Sequence, residues 1–268
     1  MTAFQKIIKY LAIAFAVFLT VSIIGGILSM FGLLGGFIDR ESVTEDVKAY
    51  TINSKIDNLV IKINAADLTI KQSDKFAVES NLKHLSVEEN NGVLHINETK
   101  RFGSAYKGAV LTLYIPANTV FEKVSISTGA GRLNADDLSA DKIDFELGAG
   151  EVTINSLIAL TDADINGGAG RITISAGALR NLDMDMGVGQ LNLTSALTGK
   201  SKLDLGIGES NITVIGKKDD YTLDIEKGLG NITLDGTGVS NIKNLGSGQN
   251  NIDIDGGIGS INLNFNGN

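Results

Sequence analysis

Thr128-Gly-Ala-Gly131, Leu147-Gly-Ala-Gly150, Gly167-Gly-Ala-Gly170, Met186-Gly-Val-Gly189, Leu205-Gly-Ile-Gly208, Lys227-Gly-Leu-Gly230 and Leu245-Gly-Ser-Gly248 are versions of one phrase. The phrase is a pair of glycines one residue apart: Gly129 and Gly131, Gly148 and Gly150, Gly168 and Gly170, Gly187 and Gly189, Gly206 and Gly208, Gly228 and Gly230, Gly246 and Gly248. The first glycines follow one another at 19, 20, 19, 19, 22 and 18 residues. A period fixed near twenty marks one structural unit stacked on itself.

The unit is readable. Ile143, Phe145 and Leu147 alternate with Asp144 and Glu146 before one glycine pair, and Val152 and Ile154 alternate with Thr153 and Asn155 after it. Alternation with period two predicts strands. Another copy places Leu182, Met184, Met186, Leu191 and Leu193 at the same positions, and Leu138, Leu157 and Leu197 supply a third apolar contact. Gly-x-Gly belongs at the bend, where a Cβ would obstruct a sharp corner or a close backbone approach. Twenty residues cannot bury both faces alone, but copies about 4.8 Å apart align their apolar positions into one core. Seven rungs at that spacing make a rod of about 34 Å.

Composition narrows the function. The chain has 268 residues, 43% of them apolar, with 32 glycines and one proline, which fits many tight corners. It has no cysteine, which removes disulfides, thiolate metal sites and cysteine nucleophiles. Residues 1–38 carry only Lys6 and Lys9, leaving 21 Lys+Arg against 31 Asp+Glu in the rest. A body this acidic is no partner for nucleic acid.

The stretch from Tyr10 to Ile38 is 29 residues without a charge, and a bilayer needs about 20. A cleaved signal peptide would carry a shorter apolar region and an Ala-x-Ala site, which does not follow here. Residues 1–9 therefore read as a cytoplasmic N-terminus, 10–38 as a transmembrane signal anchor and 39–54 as a juxtamembrane stalk. Lys6 and Lys9 precede the anchor while Asp39, Glu41, Glu45 and Asp46 follow it. The positive-inside rule then puts the N-terminus in the cytoplasm and the rest outside the cell membrane. Ser22, Gly25, Ser29, Gly32 and Gly36, spaced 3, 4, 3 and 4, make one stripe of small residues. It reads either as ordinary membrane-helix composition or as a packing seam for a membrane-protein partner or a second copy.

Residues 55–120 read as an irregular β cap. A degenerate first unit carries Ala65-Ala66-Asp67 at the bend, and short strands follow at Phe76–Val78, Leu85–Val87, Val93–Ile96 and Val110–Ile115. Asn90-Asn91-Gly92 marks a hairpin turn. Residues 121–268 are the solenoid, whose last rung, Ile261–Phe265, is expected to be uncapped. The fold class is all-β, a stack of 19–20-residue repeats behind an irregular cap and one transmembrane helix.

Asn58-Leu-Val-Ile-Lys-Ile63, Ala66-Asp-Leu-Thr-Ile-Lys71, Gly92-Val-Leu-His-Ile96, Leu111-Thr-Leu-Tyr-Ile-Pro116 and Val124-Ser-Ile-Ser-Thr-Gly-Ala-Gly131, followed by the repeats, resemble the bacterial toast-rack domains, also labelled "putative adhesins". The resemblance covers about residues 50–268. It implies a repeat domain tethered outside a bacterial cell, in some members beside envelope-stress regulators, and it transfers no catalytic motif. No cell-wall sorting signal is read at Asn264–Asn268, so anchoring rests on the N-terminal helix.

No catalytic site is expected. His84 and His95 are the only histidines, too few for a hydrolase triad without a nucleophile elbow. The glycine pairs lead into no helix and so form no phosphate loop. Gly256-Gly-Ile-Gly259 has the look of a calcium β-roll, but those repeat every nine residues. Acids do align: Asp144, Asp164, Asp183 and Asp224 stand four residues before the first glycine, with Lys202 among them, and Glu146, Asp185, Asp204 and Glu226 stand two before it, with Asn166. In register these form two outward carboxylate columns, either solvated and screened or bridged by weakly bound calcium. No other cofactor is implied. On the far side of the glycines, Thr153, Thr173, Asn192, Asn211 and Thr233 lead a ladder that hydrogen-bonds along the stack or faces a ligand such as a cell-envelope glycan. The reading is a non-catalytic, membrane-tethered, extracytoplasmic interaction module, structural or regulatory in the cell envelope. The alternative is a surface adhesin binding glycan or matrix through a solenoid face.

Overall fold

The structure is a computed structural model that describes residues 43–99 and 106–267. The anchor over 10–38 and its small-residue seam lie outside the described residues, as do residues 100–105. Among the described residues no helix is long and apolar enough to cross a membrane.

The strands are β1 (Thr44–Thr51), β2 (Asn58–Ser73), β3 (Ala77–Leu82), β4 (Leu85–Asn90), β5 (Val93–Glu98), β6 (Val110–Pro116), β7 (Phe121–Ile174), β8 (Gly177–Arg180), β9 (Leu182–Thr198), β10 (Lys200–Val214), β11 (Tyr221–Leu234), β12 (Thr237–Val239), β13 (Ile242–Gly246) and β14 (Asn250–Phe265). The stack is parallel. β2 is one rung, β7 winds through three, and β9, β10, β14 and β11 each supply one. Within a rung the buried positions fall on two arms and a third contact: Ile143, Phe145 and Leu147, then Val152 and Ile154, then Leu157 and Ala159. The columns merge into one core, in which burying each Leu or Ile contributes about 1.5–3 kcal/mol.

The two glycines of the bend are required for different reasons. Gly208 sits at φ +149°, and a methyl there would also overlap the carbonyl oxygen of Gly189 in the rung below. Gly206 needs no unusual φ, but a methyl would meet the carbonyl oxygen of Gly187. The bends thus stack backbone on backbone, with no room for a Cβ.

The rungs do not stack in chain order. β14, last in sequence, lies between β10 and β11, pairing Leu203 with Ile254 on one side and Ile225 with Ile254 on the other. Two features cause this. The interval from Gly206 to Gly228 is 22 residues instead of 19 or 20, slack that lets the chain climb one extra rung of about 4.8 Å. After β11, Asp235 and Gly236 turn with φ +50° and +74°, the left-handed pair of a tight hairpin. That turn sends β12 and β13 back antiparallel along the outer edge of β11. With that edge taken, a parallel β14 has only the inner edge.

Three expectations are corrected. Gly246 and Gly248 are not a bend pair; Gly246 ends β13, and both lie against the Asp220–Tyr221 backbone. Their place in the glycine columns belongs to Gly257 and Gly259. Ile261–Phe265 is not an uncapped end, since Ile261 pairs with Ser210 below and Ile232 above. Residues 44–51 of the expected stalk are strand, paired antiparallel with β3; the segment reads as polar because it is a sheet edge, which charges such as Glu45, Asp46 and Lys48 protect from further pairing.

At the other end, β5 and β4 cover the first arm of β2, and β6, β3 and β1 cover the second. β2 is itself a full rung. Its bend is Asn64-Ala65-Ala66, one residue earlier than the sequence frame, because Ala65 pairs with Ala130 and Ala66 with Gly131. The backbone N–H of Asn64 donates to the Glu98 carboxylate at 2.8 Å, and beside it burial, then Glu98, push the Tyr106 hydroxyl up to about 12.

Candidate functional site

The strongest electrostatic feature is the face carried by the first arms. In stack order the outer column reads Asp144, Asp164, Asp183, Lys202, Asp253 and Asp224, and the inner column reads Glu146, Asn166, Asp185, Asp204, Asp255 and Glu226. All eight acids expected from sequence are there. Asp253 and Asp255 were missed because the last copy was framed on Gly246; framed on Gly257, they stand four and two residues before the glycine. Ten carboxylates against Lys202 give this face a formal −9, more negative than the −8 of the whole chain.

Local partners relieve part of that charge. Lys123 pairs with Asp144 at 2.7 Å and Lys202 with Asp204 at 2.6 Å, while Ser127 donates to Glu146 and Asn166 to Asp164. Among the described residues no ion pair reaches Asp164, Asp183, Asp185, Asp253 or Asp255. Burial, then Asp144 and Asp183, push Asp164 above the usual carboxylate range. Burial, then Asp204, do the same for Asp185, and burial, then Asp255 and Asp224, for Asp253. The Lys202 ammonium holds Asp204 below that range.

These shifts set a pH dependence. Asp164, Asp185 and Asp253 bind a proton more tightly folded than unfolded, so their ionisation costs stability at neutral pH. The cost is relieved as pH falls through their raised values toward the ordinary 3.8. Asp204 acts in the opposite sense: its contribution is present above 3.8 and is lost as pH falls through its lowered value. Thermal melting is therefore expected to rise as pH falls from neutral toward the ordinary carboxylate value, then fall below about pH 3.8. Sodium chloride at pH 7 should raise the melting temperature in the same direction by screening. A steady fall from pH 7 downward would contradict this account.

Beside the columns, two open grooves of 380 and 300 Å³ share Asp185 and run along the stack, floored by the glycines from Gly148 to Gly257. Spaces beneath the bends are about 20 Å³, room for one water. Between the glycines stands a column the sequence reading passed over: Ala130, Ala149, Ala169, then Val188, Ile207, Ile258 and Leu229. Val188 is 53% and Ile207 41% exposed. The change from Gly-Ala-Gly to Gly-Val-Gly, Gly-Ile-Gly and Gly-Leu-Gly was the signal for this apolar ridge beside the acids.

The Asn/Thr ladder hydrogen-bonds to itself. Thr233 donates to Asn262 at 2.8 Å, Asn262 to Asn211 at 2.8 Å, Asn211 to Asn192 at 3.2 Å and Asn192 to Thr173 at 3.5 Å. One column nearer the glycines, Arg132 pairs with Asp67 at 2.5 Å and Arg171 with Glu151 at 3.0 Å. Such ladders tie rung to rung as amide ladders do in stacked sheets. His95 faces Glu88, and His84 is bonded through its carbonyl to Thr99, which separates the histidines by four residues, about 13 Å. Among the described residues no three His, Asp or Glu side chains are gathered to hold a metal.

Residues 56–247, most of the chain, match the family model described as Toastrack DUF4097. The chain belongs to the Toastrack family. The match ends before β14, so the inserted rung lies outside the matched toast-rack residues. Solved structures with similar folds include a "putative adhesin" from Parabacteroides merdae, 13% identical over 85% of this chain and 98% of that one, TM-score 0.42. Another "putative adhesin", from Bacteroides fragilis, is 15% identical over 83% of this chain and 99% of its own, TM-score 0.40. A "putative cell adhesion protein" from Clostridium sporogenes is 13% identical over 82% and 99%, TM-score 0.36. No curated protein matches the chain.

Proposed function

We propose that this toast-rack protein is a non-catalytic interaction module, tethered by residues 10–38 with its repeats outside the cytoplasm, with a structural or regulatory role in a bacterial cell envelope. The observation that carries the reading is the outer face of the stack, where ten carboxylates in two columns flank open grooves and an apolar ridge. A long, flat, chemically uniform face suits contact with another macromolecule more than enclosure of a small substrate. Cations act on it chiefly by screening, and Ser22, Gly25, Ser29, Gly32 and Gly36 are the seam toward a membrane-protein partner.

The test is cross-linking in intact cells with mass spectrometry, comparing the natural chain with one carrying leucine at those five positions. A defined membrane protein captured by the first and lost by the second supports the reading. Equal capture by both overturns the seam, and glycan binding by the repeats alone would favour a surface adhesin.

A further inference from the structure

The apolar ridge has a shape that selects its partner. Val188, Ile207, Ile258 and Leu229 stand on four consecutive rungs, Ile207 in register with Val188 below and Ile258 above, and Ile258 with Leu229. The first three are open to solvent and form an aliphatic line with a step of about 4.8 Å. Large side chains aligned in water in this way mark an interaction surface. The backbone beneath them accepts no further strand, because β9, β10 and β14 are each paired on both edges. Asp185, Asp204 and Asp255 run beside the ridge on the side of the first arms, and Glu209 stands on the other side. Lys202 is drawn to Asp204 at 2.6 Å, and Lys227 lies on the rung beyond Ile258.

We propose that the ridge and its acidic flank dock a basic amphipathic helix of a partner protein, lying along the stack. The inference rests on the interaction-module reading and names the chemistry of the partner. The spacing favours a helix. An apolar stripe at i, i+3, i+4 and i+7 advances about 5.4 Å per turn, so over the four rungs it stays within about 2 Å of the ridge. A strand laid the same way advances about 6.6 Å between residues on one face and falls out of step by a whole rung. Asp185 precedes Val188 by three residues, about 10 Å along the strand, which a Lys or Arg on the flank of a helix 10–12 Å across can reach. The charge excludes the other occupants. A second copy presenting this face would bring formal −9 against −9, and anionic lipid is repelled in the same way.

The probe is a fluorescent peptide of about 18 residues, five helical turns, with Leu along one face and Lys on its flanks. Its control has the same residues reordered so that no apolar face forms. Fluorescence anisotropy measures both against the full chain in nanodiscs of zwitterionic lipid, with the signal of empty nanodiscs subtracted. The probe is expected to bind roughly tenfold more tightly than the control, and sodium chloride to weaken it. Val188→Ser with Ile207→Ser should weaken it roughly tenfold, and Asp185→Asn with Asp255→Asn by a similar factor. All four side chains are exposed, so melting curves should show both variants folded. Equal binding of probe and control would mean attraction by charge alone and overturn the proposal. So would probe binding that ignores the two serines, or no binding by the natural chain. Those outcomes leave the interaction-module reading to the capture experiment in cells, which decides it independently.

Discussion

Gly208→Ala is expected to lower stability by on the order of 3 kcal/mol, against roughly 1 kcal/mol for Gly236→Ala. Both glycines have positive φ, +149° and +74°, so both substitutions carry backbone strain. They differ in surroundings. A methyl at Gly236 meets nothing within 4 Å, whereas one at Gly208 overlaps the backbone of Gly189. Retreat is blocked, because Gly259 rests on the carbonyl of Gly208 from the other side. Relief therefore requires separating rungs and losing pairing along β10. At about 2–4 °C per kcal/mol for a domain of this size, melting curves should separate the two variants clearly. Equal losses would mean that the close stacking of the bends is not what the glycines serve.

Most of the rung was legible because its determinants are local. The twenty-residue period, the alternation of Ile143, Phe145 and Leu147 and the glycine pairs each record a constraint that neighbouring rungs impose on one another. The order of the rungs was not legible from those marks. β10, β11 and β14 carry the same columns, with Gly206, Gly228 and Gly257 interchangeable as first glycines, so pattern matching cannot choose which strand lies on which. The choice was made by features that look incidental in sequence, the 22-residue interval and the Asp235-Gly236 turn. β1 was hidden for another reason: an edge strand that faces water is selected for charge, so Thr44–Thr51 resembles a linker.

The carboxylate face followed from the same logic and failed at the same place. Once the period is known, acids four and two residues before each glycine must form columns, and the eight that were framed correctly do. Asp253 and Asp255 were lost with the misframed last copy. The Asn/Thr ladder was visible, but sequence left open whether it faced a ligand; the bonds from Thr233 through Asn262, Asn211 and Asn192 to Thr173 are made within the stack. The apolar ridge was readable in the residue between the glycines, which grows from alanine to valine, isoleucine and leucine along the stack.

The largest stabilising effect is expected from joining β10 to β14. Asn211 and Asn262 are register partners, about 4.8 Å apart by strand spacing, within the range that a disulfide spans. The sequence separation is 51 residues, and closing so long a loop stabilises by up to about 4 kcal/mol through the unfolded chain. If the rungs followed chain order, Asn211 would instead neighbour Thr233 and stand two rungs from Asn262. The most direct measurement is therefore disulfide mapping in the oxidised full chain, comparing Asn211→Cys with Asn262→Cys against Asn211→Cys with Thr233→Cys. The inserted order predicts that the first pair closes and raises the melting temperature while the second stays reduced. Closure of the second pair and not the first would place β11 directly on β10 and contradict the stack described for this protein.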